Sequence, residues 1–261
     1  MKTFIFVTMM LFFTTNTAKA ELITYFGEDI QGASEGTRLA EHPNADAAMN
    51  NFLSNLSSGV GTEDFEDLSI GTDIPGISFP GAGNDPITAS IEGFAEIIDI
   101  TQEDGIRVTG ETVGGRYPIS GTKYLDSGNF FSVKFSEPIS AFGFYATDIG
   151  DFYGHVTLTF INNAITINET IPSTTSTTQN PGGTVIYYGF IDFDNAFDEV
   201  IFGNSSGDAD FFGFDDFTIG TLAQVKPPED SGTSPVPEPS TIFLVSFGLI
   251  GLGALKRRFF H

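Results

Sequence analysis

The stretch Asn129-Phe-Phe-Ser-Val-Lys-Phe-Ser-Glu-Pro-Ile-Ser-Ala-Phe-Gly-Phe-Tyr-Ala-Thr147 decides the fold class predicted for this chain. Phe131, Val133 and Phe135 alternate with polar residues, which is the pattern of a β-strand with one buried face. Short alternating or apolar runs recur along the chain, at residues 106–109, 139–147, 156–160, 165–171, 184–191, 199–202 and 211–219. These runs predict strands rather than helices.

Clusters of Gly, Asn, Asp and Pro separate the predicted strands, as in Asn180-Pro-Gly-Gly183 and Ser206-Gly-Asp208. Turn residues at this spacing are typical of antiparallel all-β domains. We therefore predict an all-β fold over residues 65–222, an antiparallel β-sandwich of the jelly-roll type.

One segment of the N-terminal lead, residues 21–64, has helical periodicity instead. Its apolar residues recur at steps of three and four, and Ser57-Ser58-Gly59 follows as a stop signal. They are Ala45, Ala48, Met49, Phe52, Leu53 and Leu56. We predict one short helix from Ala45 to Leu56, with this stripe docked on the β-domain.

The first 20 residues have the three parts of a cleavable secretory signal. Lys2 supplies the positive charge, residues 4–13 form an apolar core broken only by Thr8, and Ala18-Lys19-Ala20 is a small-residue cleavage site. Ala18 and Ala20 are the two small residues of this site, and cleavage after Ala20 predicts a mature chain that begins at Glu21.

The C-terminal region contains a second apolar segment with different flanks. A Pro-rich linker at residues 223–235 leads to a motif, then to the apolar run 242–255, then to Lys256-Arg-Arg258. The 14 apolar residues would form a helix of about 21 Å, which spans a bilayer with local thinning. By the positive-inside rule, the basic cluster Lys256-Arg-Arg258 stays on the cytoplasmic side. The chain N-terminal to the apolar run is therefore expected on the opposite side of the membrane. The motif consists of Val236, Pro237, Glu238, Pro239, Ser240 and Thr241.

This order of motif, apolar run and basic cluster, from Val236 to Arg258, resembles the PEP-CTERM sorting signal of Gram-negative bacteria. The resemblance implies an inner-membrane intermediate, cleavage near Pro237-Glu-Pro239 by an exosortase-type enzyme, and delivery to the cell surface or extracellular matrix. The two prolines favour an extended, accessible stretch for that cleavage. The resemblance concerns destination and says nothing about activity.

The chain is strongly acidic, with 11 Lys and Arg against 34 Asp and Glu and a net charge of −23. Residues 21–255 retain 6 of the basic residues and all the acidic ones, a net of 6 − 34 = −28. A nucleic-acid surface needs clustered cations, so we expect no nucleic-acid partner. There is no cysteine, hence no disulfide. The chain has 28 Phe and no Trp, and without four Phe in the signal and four in the tail, 28 − 8 = 20 remain to form the core of the body.

Residues suited to catalysis are few. The histidines are His42, His155 and His261, and no nucleophile elbow or phosphate loop is present. The abundant carboxylates leave a glycosidase pair open, but abundance alone does not indicate one. We expect no enzymatic activity.

Carboxylate clusters indicate calcium as a structural cofactor, because hard cations take several oxygen ligands. The clusters are Glu63-Asp-Phe-Glu-Asp67, Asp148-Ile-Gly-Asp151 and Asp215-Asp216. In a regular strand one of Asp215 and Asp216 would face the apolar side, where a ligand would neutralise it. The alternatives are that Asp215 and Asp216 accept hydrogen bonds from loop amides, and that Asp148 and Asp151 form a turn.

The closing Phe214-Asp-Asp-Phe-Thr-Ile219 is similar to the last strand of calcium-stabilised carbohydrate-binding jelly rolls. That resemblance implies a calcium site at Glu66, Asp67, Asp215 and Asp216, although the lack of Trp weakens a sugar-binding role. Six tyrosines could stack on a sugar or fill the rim of the sandwich.

Together these patterns predict an exported structural or adhesive protein of the cell surface or the exopolysaccharide matrix. Two alternatives stay open: a lectin-like carbohydrate-binding module and a surface polysaccharide hydrolase.

Overall fold

A computed structural model describes residues 22–30, 36–57, 59–83, 85–101, 112–150, 152–162, 165–174, 183–207 and 210–227. The predicted signal, its cleavage site, the sorting motif and the apolar segment 242–255 lie outside these ranges, as does the predicted strand 106–109. Within the described ranges, no helix is long and apolar enough to cross a bilayer.

The described part of the chain contains one α-helix, eleven strands and a short 3-10 helix at Leu222–Gln224. The α-helix is α1 (Pro43–Ser54), which starts two residues before the predicted helix. The strands are β1 (Ile23–Asp29), β2 (Thr62–Glu63), β3 (Ile77–Phe79), β4 (Ile87–Asp99), β5 (Lys123–Ile139), β6 (Ala141–Thr147), β7 (Val156–Asn162), β8 (Ile165–Thr170), β9 (Val185–Ile191), β10 (Phe197–Asn204) and β11 (Phe211–Gly220).

All strand pairs are antiparallel and belong to one sheet, in the order β1-β9-β6-β11-β5-β10-β7-β8. β4 pairs with the edge of β5 that is not paired with β10 and β11. β3 pairs with β4, and β2 pairs with β11. β5 is the longest strand: residues 125–128 pair with β11, and residues 131–139 pair with β10. Because its partner changes along its length, β5 joins the two halves of a curled sheet.

The curl brings the two halves face to face across a core of phenylalanines. Phe142 and Phe144 of β6 lie 6.1 and 5.2 Å from Phe202 of β10, measured between ring centroids. Phe190 of β9 lies 4.1 Å from Phe160 of β7. Most of these contacts are tilted or edge-to-face, the geometry that aromatic rings prefer. The predicted antiparallel β-sandwich is confirmed, and one curled sheet supplies both of its layers.

The predicted N-terminal lead, residues 21–64, takes part in this sheet. β1 pairs with β9 over its full length, from Ile23 opposite Ile191 to Asp29 opposite Val185. The Asp29 carboxylate accepts the N–H groups of Asn44 and Ala45, at 3.0 and 2.9 Å, and so caps the first turn of α1. At the other end, Val225 pairs with Leu56, so residues 223–226 of the predicted linker also pack on the domain.

α1 docks on β1, β6 and β9 through the predicted apolar face, of which Ala45, Ala48 and Phe52 are buried. Phe52 lies over two glycines that face each other on neighbouring strands, Gly143 and Gly189. A Cβ atom would lie 2.8 Å from the Phe52 ring at Gly143 and 2.9 Å from it at Gly189. The glycine pair therefore makes the groove that accepts the helix.

We expect Gly189→Ala to lower the free energy of unfolding by about 1–3 kcal/mol, because the new methyl group overpacks the groove under Phe52. The matched control is Gly220→Ala, whose Cβ would meet Ala141 at an ordinary 3.6 Å. Urea unfolding followed by circular dichroism measures both. Equal stability of the two variants would contradict the groove.

Candidate functional site

A β-bulge places Asp215 and Asp216 in the last strand. Asp215 lies opposite Tyr145 and Thr218 opposite Gly143, so β11 advances three residues while β6 advances two. Asp216 takes a left-handed backbone conformation, with φ of 53°. The extra residue lets Phe214 and Phe217 both enter the core. The expectation that one carboxylate is buried assumed a regular strand. The strand has a bulge at this point, and Asp215 is buried, with 1% of its surface exposed.

Both carboxylates instead contact the loop that leads into β5. Asp215 Oδ2 accepts the N–H groups of Ile119 and Ser120 at 2.7 and 3.0 Å. Asp216 Oδ1 accepts the Ser120 hydroxyl at 2.8 Å. This is the first half of an arrangement that we call the acidic clamp, defined as Glu66, Asp215 and Asp216 around residues 119–123.

Glu66 holds the second half of the same loop. Its Oε1 accepts the N–H groups of Thr122 and Lys123 at 2.6 and 2.5 Å. The Lys123 ammonium donates back to the carbonyl oxygen of Glu66 at 2.6 Å. Glu66 is brought here by the preceding Phe65, whose ring lies 5.3 Å from that of Phe217 in the core.

The predicted calcium ligands are thus brought together in part. Glu66, Asp215 and Asp216 share one loop, whereas Asp67 is exposed beside it. Among the described residues, no group of three or more His, Asp or Glu side chains is placed to hold a metal ion. The contacts match the alternative of hydrogen bonding to loop amides, and calcium binding stays a prediction.

Of the second predicted cluster, the structure describes Asp148. Asp148 is buried at φ of 64°, and its Oδ2 lies 3.7 Å from Nη1 of Arg116. Asp151 lies outside the described residues. Asp148 therefore contributes to an ionic group around Arg116.

Electrostatics distinguish Asp215 within the clamp. Burial, followed by the neighbouring charge of Asp216, raises the pKa of Asp215 to about 8, although three backbone N–H groups counteract the rise. Burial also raises the pKa of Asp216. The folded protein therefore retains a proton at Asp215 that the unfolded chain releases at lower pH.

Since the folded-state pKa of Asp215 is raised, its contribution to stability is complete below the unfolded-state pKa and is lost as pH rises through about 8. We expect the free energy of unfolding to fall between about pH 4 and about pH 8, with a slope of up to about 1.4 kcal/mol per pH unit, and to level off above that range. Asp215→Asn should reduce that slope, whereas Asp73→Asn, at an exposed position, should preserve it. An unchanged slope in Asp215→Asn would contradict this assignment.

Gly121 makes room for the clamp at the tip of the loop. Its φ is +58°, and a Cβ atom there would collide with the Glu66 carboxylate. Gly207 provides a matched comparison, with φ of +78° and no atom within 4 Å of an added Cβ.

Gly121→Ala and Gly207→Ala should both incur the left-handed backbone penalty of about 1–2 kcal/mol. Only Gly121→Ala displaces Glu66. We therefore expect its free energy of unfolding to fall by about 1–3 kcal/mol more than that of Gly207→Ala, because hydrogen bonds to Glu66 are lost. Chemical denaturation measures the difference. Variants of equal stability would show that Glu66 does not hold the loop.

A separate cleft lies at the joint between β4, β5 and β11, with a volume of about 380 Å³. Arg116 forms one side of it and is held by Asp126, with Nε to Oδ1 at 2.8 Å and Nη2 to Oδ2 at 3.4 Å. Its lining residues are Phe94, Glu96, Val113, Gly114, Arg116, Asp126 and Phe211. None of these residues was predicted from the sequence as part of a site, because they come from four separate segments of the chain.

Comparisons with known proteins identify the C-terminal segment. Residues 235–258 match the family described as the PEP-CTERM protein-sorting motif. The chain thus carries a PEP-CTERM sorting motif at residues 235–258, as predicted from its sequence. The motif implies export through the membrane to the cell surface and processing by an exosortase-type enzyme.

Two solved structures are distantly similar to the β-domain. The K2 cleaved adhesin domain of Lys-gingipain (Kgp) has 13% identity and a TM-score of 0.39, over 62% of this chain and 98% of that one. TmCBM61, solved in complex with β-1,4-galactotriose, has 10% identity and a TM-score of 0.23, over 51% of this chain and 87% of that one. No curated protein matches the chain.

Proposed function

We propose that this chain is a non-enzymatic structural or adhesive protein of the cell surface or the exopolysaccharide matrix. The observation that carries the proposal is the sorting motif at residues 235–258, which follows a compact domain ending at Lys226. An exosortase-type enzyme would cut near Pro237-Glu-Pro239 while the apolar segment 242–255 holds the chain in the inner membrane. The domain would then be delivered outside.

The chemistry of the domain supports a structural role. A carboxylate with a strongly raised pKa is often a mark of a catalytic site. Asp215 has such a pKa, but its oxygens accept N–H groups of the loop that leads into β5. These contacts favour a structural role for this carboxylate. A dense aromatic core and a loop fixed in this way favour a rigid scaffold.

Charge supports an extracellular setting. With a net charge of −23, the protein repels itself and stays soluble at low ionic strength, and external salt or divalent cations relieve that repulsion. The absence of cysteine leaves the fold independent of the redox state of its compartment.

The sorting proposal is tested by replacing Pro237-Glu-Pro239 with three alanines in a host that has an exosortase-type enzyme. The matched control replaces Pro227-Pro-Glu229 with three alanines, which likewise removes two prolines and one glutamate, but from the linker. Antibodies against the β-domain follow the protein in cytoplasmic, membrane and external fractions.

We expect the control to be shortened and delivered outside like the wild type, and the motif variant to stay in the membrane fraction at precursor length. Equal processing of the two variants would contradict cleavage at the motif. An uncut wild-type chain in the cytoplasm would contradict export.

A further inference from the structure

Two exposed phenylalanines form one wall of the cleft beside Arg116. Phe94 and Phe211 are 55% and 40% exposed, and their rings meet edge-to-face with centroids 5.5 Å apart. Most phenylalanines of the domain are buried, so this exposed pair departs from the pattern of the fold. Paired exposed aromatic rings at a concavity are typical of a binding surface.

The backbone is built to expose these rings. The register between β4 and β5 is irregular between Gly93 and Ala95, which places Phe94 on the outer side of the sheet. Gly128 lies beside both rings, and a Cβ atom there would be 3.5 Å from Phe94 and 4.0 Å from Phe211. Because Gly128 has no side chain, the space beside the two rings stays open.

Polar side chains also line the cleft, and one of them is fixed in place by an ion pair. The Asp126 carboxylate orients the Arg116 guanidinium, which also lies 5.4 Å from the centroid of the Phe211 ring. Glu96 adds a second carboxylate to the lining. A ligand here would meet aromatic rings on one side and both donors and acceptors on the other.

Size and charge restrict the class of ligand. The volume of about 380 Å³ falls within the roughly 300–1,000 Å³ of small-molecule sites. Among the described residues at the cleft, the carboxylates Asp126, Asp148 and Glu96 outnumber the cation Arg116. The protein also has a net charge of −23, so an anionic ligand is repelled. A pyranose ring fits this chemistry, since it presents C–H groups on its faces and hydroxyl groups at its edge.

We propose that the cleft between Phe94, Phe211 and Arg116 binds a neutral hexose unit of an extracellular polysaccharide. The sugar face packs on the phenylalanine rings, and its hydroxyl groups donate to Glu96 and Asp126 and accept from Arg116. This inference rests on the proposed function for the presence of such a polymer, and it gives the adhesive role a defined contact.

The test uses the full chain, purified in a detergent without a sugar head group. Binding is measured by calorimetry and on an array of neutral glucan, galactan and mannan oligosaccharides, with oligogalacturonates as the charged comparison. We expect binding of at least one neutral series and at least about tenfold weaker binding of the charged series.

The decisive variants are Phe94→Ala and Phe211→Ala, each expected to weaken binding about tenfold or more. The matched control is Phe130→Ala, which removes a phenylalanine that is 62% exposed but does not line the cleft. Circular dichroism confirms that all three variants are folded. Glu96→Gln, which keeps size and removes charge, should weaken neutral-sugar binding by a smaller factor.

Failure to bind any neutral oligosaccharide would overturn the proposal, as would equal losses in all three phenylalanine variants or a preference for oligogalacturonates. Any of these three results, together with normal export of the wild type, would contradict the sugar site without contradicting the proposed function. Sugar binding lost in Phe94→Ala, together with a wild-type chain that stays in the cytoplasm, would instead preserve the site and contradict the proposed function.

Discussion

The bulge at Asp216 is the constraint on which the structure depends. The extra residue in β11 turns Phe214 and Phe217 toward the same core, and it turns the carboxylates of Asp215 and Asp216 toward the loop at residues 119–123. That loop leads directly into β5, the strand that joins the two halves of the curled sheet. One irregular residue therefore connects the aromatic core, the acidic clamp and β5. The first residues of β5 include Asp126, which lines the cleft.

The clamp also shows how a strongly acidic chain can hold carboxylates inside its fold. Burial penalises the charged form of Asp215, and Asp216 adds to that penalty, whereas three backbone N–H groups favour the charge. Burial and like-charge repulsion outweigh these hydrogen bonds, so the pKa rises to about 8. Glu66 is less buried and accepts two backbone N–H groups from the same loop. Backbone amides of the loop therefore donate to two of the predicted calcium ligands, Glu66 and Asp215.

Much of the fold was predictable because buried strands impose a period of two on the sequence. The alternation at Phe131, Val133 and Phe135 identified β5, and the stripe from Ala45 to Leu56 identified α1 to within two residues. β1 was missed because α1 covers one of its faces and no clean alternation remains, and β4 was missed because its pattern breaks at Gly93. The acidic pair was singled out from the sequence, but its orientation depends on the register with β6, which no local pattern contains. The cleft was missed for a related reason: Phe94, Arg116 and Phe211 are far apart in sequence and meet only once the strands are paired.

Native-state hydrogen exchange tests most directly the claim that carboxylates hold the loop by themselves. In the presence of a calcium chelator, the amides of Ile119, Ser120, Thr122 and Lys123 should exchange slowly, because each donates to Asp215 or Glu66. Their protection should equal that of neighbouring sheet amides. Rapid exchange of all four in the chelator, with protection restored by added calcium, would contradict the account and assign the loop to a metal ion.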